Sequence, residues 1–441
     1  MVVTRIPPSP TGKLHIGTAR TALFNYLYAR NQGGTIVFRS EDTDRERSKR
    51  EYEDEIVEGL SWLGLSWDSF SRQSEQAPRH QELLEKIIAE EKAYVSEEES
   101  KNEAGKRVEV VRLKNPGRSI SFHDEIRGEI TFDTAELGDF VIARAIDDPL
   151  YHFAVVADDL DAGVTHVIRG EDHISNTTRQ ILIQEALGAP RPAYAHLPLI
   201  LDAKRAKLSK RNGDTVGLAE YRAEGFLPEA LINYLALLGW NPGTTEEYFS
   251  LAELVERFSF DGVQKGGAIF DRTKLLSINQ HWMRGLSDNE YIARGELKAP
   301  DEAKLRKALP LLRDRAKTFG EAREMLLGEL ACLFSAPTPE ASQLKAKEPE
   351  GEGEAAKSHL RAARALVEGL SSFSSPEAIK EVLMPYADGI PKEAGGRGAV
   401  LWPLRYALSG QERSPDPFSL IHILGKEESL ARIDTALGIL E

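Results

Sequence analysis

The chain has 441 residues, of which 41% are apolar and 29% charged. That length predicts about three domains, at roughly 150 residues each. The single cysteine, Cys332, excludes an internal disulfide and any zinc site built from several cysteines. Its apolar surroundings predict a buried, unreactive thiol.

The charge and the N-terminus exclude some functions. A net charge of −14 gives no general attraction for nucleic acid, so any nucleic-acid contact needs a local basic surface. The start of the chain has no basic region leading into an apolar run, and no stretch approaches the ~18 apolar residues of a membrane span. These features predict a cytoplasmic protein.

The first predicted elements form a β–α–β unit. Val2 to Ile6 has the apolar character of a short buried strand, and a loop rich in proline and glycine follows. Apolar residues then recur at three- and four-residue spacing until Gly33, which predicts a helix. Thr35 to Arg39 is the next predicted strand. Such a unit typically opens a parallel nucleotide-binding sheet.

A second strand–helix pair is predicted much later, at Val164 to Arg169 and Ser175 to Leu187. Ser175 is expected to cap this helix and Gly188 to end it. Tyr194 to Leu201 predicts one more strand. The long stretch between the two halves indicates an insertion in the sheet.

The insertion contains the best basic stretch of the chain. Its lysines and arginines outnumber the acids around them; they are Lys101, Lys106, Arg107, Arg112, Lys114 and Arg118. A nucleic-acid contact and a solvated charged face are both open interpretations.

The last third is predicted to be helical. From Leu227 onward the apolar residues fall at helical spacing, and Gly239 ends the first such face. Lys345 to Lys357 has the composition of an exposed linker or long loop. No strand pattern is evident after about residue 300.

The first candidate site is the segment Pro8 to Thr18, between the first strand and its helix. Backbone N–H groups at a helix start favour a phosphate, and Gly12 and Gly17 let the backbone approach a nucleotide. His15 could donate to a phosphate oxygen. Taken alone, a histidine at such a position more commonly just caps a turn.

The second candidate site is Lys207-Leu208-Ser209-Lys210-Arg211, which precedes Asn212 and Gly213. Two lysines in a loop suit a mobile contact to a triphosphate. In isolation, a basic surface loop more commonly serves solubility.

Together the two motifs resemble HIGH and KMSKS, which define class I aminoacyl-tRNA synthetases. Longer segments are similar to the bacterial glutamyl-tRNA synthetase family: Arg5 to Gly12, Phe38 to Asp44, Val164 to His173 and Leu227 to Trp240. The resemblance covers most of residues 1–90 and 120–285, with a weaker similarity from Gly398 to Glu428.

The resemblance implies an α/β fold. A split, Rossmann-like class I catalytic domain would occupy residues 1–75 and 150–225, with an acceptor-stem-binding domain inserted at 76–149. A helical stem-contact region, 226–300, and an α-helical anticodon-binding domain, 301–441, would follow.

The resemblance also implies the reaction. L-Glutamate would be activated with ATP to glutamyl-adenylate and transferred to the 3′ end of its tRNA, by an enzyme that is usually a monomer. Mg²⁺ would balance the leaving pyrophosphate. Many relatives carry a small zinc knot of cysteines in the insertion, but Val95-Ser96-Glu97 stands there in this chain, so no structural zinc is expected.

Individual roles follow from the positions that match the family. The catalytic residues would be His15, Gly17, Lys207 and Lys210. The ATP-binding residues would be Pro8, Gly12, His15, Gly17, Thr18, Asp172 and Lys210. The glutamate-binding residues would be Arg5, Ser9, Glu41, Tyr151 and Arg169, and which arginine takes which carboxylate stays open.

Three alternatives remain. A related protein that glutamylates a modified tRNA base shares the catalytic half but ends near residue 300. A glutaminyl enzyme would carry a β-barrel at the C-terminal end. A non-catalytic paralogue that binds tRNA should have lost parts of the site, yet His15, Gly17, Lys207 and Lys210 are all present.

Overall fold

The computed structural model describes residues 1–99, 107–208, 217–345 and 353–441. These residues form two compact units, Met1–Asn279 and Gln280–Glu441. Several predicted positions lie outside the described residues. They are Lys101, Lys106, Ser209, Lys210, Arg211, Asn212, Gly213 and residues 346–352 of the predicted linker.

The predicted β–α–β unit is present at the start of the first unit. Its elements, with the next crossover, are β1 (Val3–Ile6), α1 (Ile16–Asn31), β2 (Thr35–Ser40), α2 (Arg50–Trp62) and β3 (Ser69–Arg72). The three strands are parallel in the order β1-β2-β3. Helix α1 ends before Gly33, whose φ of 61° suits a residue without a side chain.

The insertion is a helix followed by antiparallel strands. Its elements are α3 (Ala77–Ala89), β4 (Ala93–Glu99), β5 (Arg107–Leu113), β6 (Ser119–Asp124), β7 (Gly128–Asp133), β8 (Phe140–Ala145) and β9 (Asp148–Pro149). One sheet has the order β4-β5-β8-β9, while β6 and β7 form a hairpin. Leu84, Leu113 and Ile142 pack in its core.

The second half of the catalytic sheet follows. Its elements are α4 (Tyr151–Asp161), β10 (His166–Gly170), α5 (Ile174–Leu187), β11 (Ala193–Leu197) and β12 (Ile200–Leu201). Strands β10 and β11 are parallel, and β11 also pairs with β6. The N–H of Thr165 donates to the carbonyl of Val3 at 3.0 Å, which joins β10 to β1 and completes the split Rossmann-like sheet.

Two local predictions in this half are wrong. Helix α5 starts at Ile174 after a 3₁₀ turn, Glu171–His173, so Ser175 lies inside the helix and is not its cap. The strand predicted over Tyr194 to Leu201 is divided in two, because Pro198 has no N–H for a sheet hydrogen bond. Gly188 ends α5 in the left-handed conformation, as predicted.

Short elements complete the first unit. They are α6 (Leu218–Ala223), α7 (Pro228–Leu237), α8 (Leu251–Arg257), β13 (Ala268–Ile269) and α9 (Arg272–Arg284), whose last residues belong to the second unit. The helical prediction from Leu227 missed β13, which pairs with β12.

Within its described residues the second unit is entirely helical, which confirms the prediction. Its helices are α10 (Asp288–Gly295), α11 (Glu302–Arg315), α12 (Phe319–Leu327), α13 (Ala341–Leu344), α14 (Glu354–Glu368), α15 (Pro376–Asp388), α16 (Gly396–Ser409) and α17 (Pro417–Ile439). Cys332 is buried, as predicted, and burial raises the pKa of its thiol to about 11. Across the described ranges, no helix is long and apolar enough to cross a membrane.

Candidate active site

A cavity of about 630 Å³ opens at the carboxyl ends of β1 and β10, beside the start of α1. Ligands bind at this edge in doubly wound sheets because the strand order reverses there. Every predicted site residue that the structure describes lines this cavity: Arg5, Pro8, Ser9, Gly12, His15, Gly17, Thr18, Glu41, Tyr151, Arg169, Asp172 and Lys207.

The start of α1 forms one wall of the cavity. His15 caps the helix, since its Nδ1 accepts from the backbone N–H of Thr18 at 3.3 Å. An accepting Nδ1 leaves the hydrogen on Nε2, which lies 3.1 Å from the hydroxyl of Thr18. A side chain at Gly17 would place its Cβ 3.1 Å from the His15 ring, so glycine keeps this corner open. His15 therefore caps the helix and also presents an N–H donor.

The loop before α1 is held on both sides. The N–H of Glu41 donates to the carbonyl of Pro8 at 2.9 Å, which fixes the loop to the end of β2. The N–H of Leu218 donates to the carbonyl of Leu14 at 2.9 Å, and His15 forms a β-bridge with Gly217.

The described end of the lysine motif reaches the same cavity. Lys207 Nζ donates to Asp172 Oδ2 at 2.7 Å. Burial alone would raise the pKa of the Asp172 carboxyl, but the hydrogen bond from Lys207 holds it below its usual value. Residues on both sides of the stretch outside the structure, Lys207 and Gly217, thus lie beside the helix start.

Two buried arginines line the floor of the cavity. Arg5 is 2% exposed and pairs with Asp159, with Nε 3.4 Å from Oδ2. Arg169 is 6% exposed, and its guanidinium donates to Gln180, Thr177 and His196, which are all uncharged acceptors. It takes part in no ion pair among the residues described.

This arrangement leaves excess positive charge at the floor. Burial and then the nearby Arg5 lower the pKa of Arg169. A guanidinium that is removed from water without a carboxylate partner is strongly favourable for an anion that enters the cavity.

A third buried arginine, missed by the sequence analysis, organises the acids beside the floor. Arg39 pairs with Asp159 at 2.6 Å and with Glu41 at 3.1 Å. Burial raises the pKa of Glu41, although Arg39 opposes the rise. For Asp159, Arg39 and Arg5 outweigh burial and lower the pKa. The available signal was the pair of adjacent acids, Asp158 and Asp159, that follows the apolar first part of α4.

The side wall is uncharged. Burial raises the pKa of the Tyr151 hydroxyl to about 12, and burial together with Arg169 lowers the pKa of His173 to about 4. The two rings lie 6.5 Å apart. Both groups are therefore neutral near pH 7, and the charge of the site comes from its arginines, lysine and acids.

The turn that leads towards Lys207 is anchored by two residues that the sequence analysis also missed. Arg20 donates to the carbonyl of Leu238 at 3.0 Å and to that of Pro198. Glu171 accepts from the N–H of Leu199 at 2.8 Å. Helix α1 and the end of β10 thereby fix the same turn.

Among the described residues, no group of three or more histidine, cysteine, aspartate or glutamate side chains is placed to hold a metal ion.

Comparison with known families defines the class of protein. The profile described as "tRNA synthetases class I (E and Q), catalytic domain" matches residues 1–109 and 95–277. An "Anticodon binding domain" profile matches residues 274–437. The chain belongs to the class I aminoacyl-tRNA synthetases.

Full-length relatives narrow this to one family. The chain is 42% identical to glutamate–tRNA ligase 1 of Mesorhizobium japonicum, with 98% of each chain covered. It is 40% identical to glutamate–tRNA ligase of Carboxydothermus hydrogenoformans, covering 98% and 99% of the two chains. The crystal structure of a glutamate tRNA ligase from Elizabethkingia meningosepticum, in complex with its amino acid, matches with a TM-score of 0.85 at 30% identity and covers 100% of both chains. The chain therefore belongs to the glutamate–tRNA ligase family.

Proposed function

We propose that this chain activates L-glutamate with ATP to glutamyl-adenylate and pyrophosphate, and then transfers the glutamyl group to a hydroxyl at the 3′ end of the tRNA for glutamate with release of AMP. One observation carries the proposal: two buried arginines, Arg5 and Arg169, line the same cavity as the His15 helix start. The cavity thus combines a cationic floor for a small diacid with a helix start suited to phosphates.

The nucleotide would bind along the helix start. Backbone N–H groups after Gly12 and the Nε2–H of His15 would contact phosphate oxygens, with Pro8, Gly17 and Thr18 shaping this wall. Asp172 would accept from the ribose after exchanging its present partner, Lys207. Lys210 is assigned to the phosphates from the motif alone.

The chemistry needs no protein base. An ionised carboxylate oxygen of glutamate attacks the α-phosphorus of ATP, the bond to the bridging oxygen breaks, and pyrophosphate leaves. Negative charge that develops on the equatorial oxygens would be stabilised by Lys207, Lys210 and the helix start. Mg²⁺ would enter with the phosphates and neutralise the pyrophosphate, since this ion commonly binds through substrate phosphates and water.

The amino acid would lie on the cationic floor. Arg5 and Arg169 would bind its two carboxylates through charge-assisted hydrogen bonds. Glu41 and Ser9 would contact the α-amino group, and Tyr151 the side chain. A neutral competitor such as glutamine would leave part of the floor charge without an anion.

The tRNA contacts are proposed from the order of domains. Residues 76–149 would bind the acceptor stem, 226–300 would contact the stem, and 301–441 would bind the anticodon. The split catalytic domain would be residues 1–75 and 150–225. The distribution of basic residues gives no support to the assignment of 76–149 to the acceptor stem. Arg107, Arg112 and Arg118 pair with glutamates, which favours the solvated-face interpretation of that stretch.

The alternatives have less support. A glutaminyl enzyme would carry a C-terminal β-barrel, whereas the second unit is helical in its described residues. A base-glutamylating relative would lack the region that matches the anticodon-binding profile. A binding-only paralogue would not need the complete set of cavity residues.

ATP–pyrophosphate exchange tests the proposal. We expect exchange with glutamate that depends on added tRNA, and much less with glutamine. His15→Ala should reduce exchange strongly, while His166→Asn, which changes a histidine at the start of β10 outside the cavity, should not. No exchange with or without tRNA would favour the binding-only protein.

A further inference from the structure

Behind Arg169 lies a chain of buried polar groups that no proposed role uses. His196 and Asp124 are both 0% exposed. His196 Nδ1 is 2.6 Å from Asp124 Oδ2, and its Nε2 is 3.2 Å from Arg169 Nε. The three side chains form a line from the insertion to the floor of the cavity.

The hydrogen bonds fix the protonation of His196. Arginine Nε always carries a hydrogen, so His196 Nε2 has to accept it. The imidazole hydrogen is then on Nδ1 and is donated to Asp124. Burial is the largest cause that lowers the pKa of His196, and Arg169 and Arg127 lower it further, while Asp124 opposes them. The neutral ring with hydrogen on Nδ1 is the form that fits both neighbours.

Asp124 is itself held firmly. It lies at the end of β6, and its side chain accepts from the backbone N–H groups of Ile126 at 3.1 Å, Arg127 at 2.9 Å and His196 at 3.1 Å. A carboxylate fixed by backbone donors has little freedom to move towards Arg169.

We propose that His196 and Asp124 are positioning residues for the amino-acid site, which orient the Arg169 guanidinium without neutralising it. This inference rests on the proposed role of Arg169 in binding glutamate. A carboxylate placed directly against Arg169 would form an ion pair and compete with the substrate. An imidazole between them supplies the acceptor that Nε requires and keeps the negative charge of Asp124 one ring further away.

The other contacts of Arg169 agree with this role. Nη1 donates to Gln180 Oε1 at 2.7 Å and Nη2 to Thr177 Oγ1 at 2.7 Å. Together with Nε, all three guanidinium nitrogens are held by neutral acceptors. Nη2 also donates to the carbonyl of His173 at 3.5 Å, a long hydrogen bond. The second hydrogen of Nη1 stays available to a carboxylate in the cavity.

Asp124→Asn tests the tautomer directly. The amide oxygen can still accept from the N–H groups of Ile126 and Arg127, but the NH₂ in place of Oδ2 would face His196 Nδ1 and move the imidazole hydrogen to Nε2. That hydrogen would then oppose the Nε–H of Arg169. We expect the KM for glutamate to rise about tenfold or more, with the KM for ATP within about twofold of wild type.

Two substitutions of His196 distinguish the effect of losing the hydrogen-bond acceptor from the effect of changing the packing. His196→Gln can place its Oε1 where Nε2 was and should stay within about threefold of the wild-type KM for glutamate, because the acceptor is kept. His196→Leu removes the acceptor and should behave like Asp124→Asn. In a His196→Gln background, adding Asp124→Asn should have little further effect, because no imidazole tautomer remains to be controlled.

The control is His166→Asn, at the opposite end of β10, which should leave the KM for glutamate unchanged. ¹⁵N NMR of histidine-labelled protein should show His196 Nε2 unprotonated in the wild type and protonated in Asp124→Asn. If Asp124→Asn does not fold, the comparison of His196→Gln with His196→Leu still tests whether Arg169 needs an acceptor at this position.

Two results would overturn the inference. One is a wild-type KM for glutamate in both Asp124→Asn and His196→Leu. The other is a rise in the KM values for glutamate and ATP together, in proportion to lost unfolding stability, which a purely structural role predicts. Wild-type protein that does not exchange with glutamate at all would instead refute the proposed function, so the two failures are distinguishable.

Discussion

Replacing Arg169 with alanine is the sharpest perturbation of the amino-acid site. The residue is 6% exposed and its acceptors are neutral side chains, so its charge has no partner among the ion pairs of the described residues. A bound carboxylate would therefore gain a contact that is fully buried. The substitution removes this contact and leaves the rest of the cavity wall in place.

The magnitude follows from that burial. Truncating one member of a buried, hydrogen-bonded charge pair costs about 2–5 kcal/mol. At about 1.4 kcal/mol for each factor of ten, kcat/KM for glutamate should fall roughly 30-fold to several thousand-fold. The KM for ATP should change by no more than about twofold, because the helix start is untouched.

The assay is tRNA-dependent ATP–pyrophosphate exchange over a range of glutamate concentrations. Arg191→Ala is the matched control, since Arg191 is partly exposed and pairs with Glu185 at 3.2 Å. Kinetics of Arg169→Ala within about threefold of wild type would show that the cationic floor does not bind the substrate. If Arg191→Ala lost as much kcat/KM for glutamate, the effect of Arg169→Ala would be due to reduced stability of the fold.

Four further outcomes are expected. Lys210→Ala should lower kcat of exchange about a hundredfold while the KM for glutamate stays nearly constant, because its charge acts on the transition state; exchange kinetics check this. Asp172→Asn should raise the KM for ATP about tenfold in the same assay, since it weakens the ribose acceptor. Burial lowers the pKa of His173 to about 4. As the pH falls from ~6.5 towards 4, the unfolded chain therefore takes up a proton at this residue that the folded chain does not. The urea midpoint of unfolding should drop over this pH range, and it should drop less in His173→Asn. Burial raises the pKa of Cys332 to about 11, so a thiol reagent at pH 8 should label the native protein far more slowly than the protein in urea.

Each of these has a contrary result. A loss confined to the KM for glutamate in Lys210→Ala would remove its transition-state role. An unchanged KM for ATP in Asp172→Asn would remove the ribose contact. A urea midpoint that falls equally in wild type and His173→Asn would assign the pH dependence to other groups, and equal labelling rates would place Cys332 at the surface.

The local parts of the site were predictable from sequence. The glycine- and proline-rich loop, the helix that follows it and the flanking strands all follow from spacing within a few tens of residues. Residues inside those motifs, such as His15 and Gly17, could therefore be predicted as site residues from the sequence. Helix α5 was placed correctly except at its start, where a 3₁₀ turn precedes it and no side-chain cap is needed.

The supporting contacts were not predictable because they join distant segments. Arg39 and Asp159 are 120 positions apart in the sequence, and Asp124 and His196 are 72 apart. Each residue alone has no pattern that distinguishes a buried polar partner from a surface charge. The pairing of β6, in the insertion, with β11, in the catalytic sheet, brings Asp124 next to His196 and so close to Arg169.

A crystal structure with a non-hydrolysable glutamyl-adenylate analogue tests the central claim most directly. The account predicts the side-chain carboxylate of the glutamyl group within about 3 Å of the guanidinium of Arg5 or Arg169, with the other arginine beside the acyl group, the phosphate at the start of α1 and the ribose beside Asp172. An analogue bound outside this cavity, or inside it with its carboxylate away from both arginines, would contradict the account.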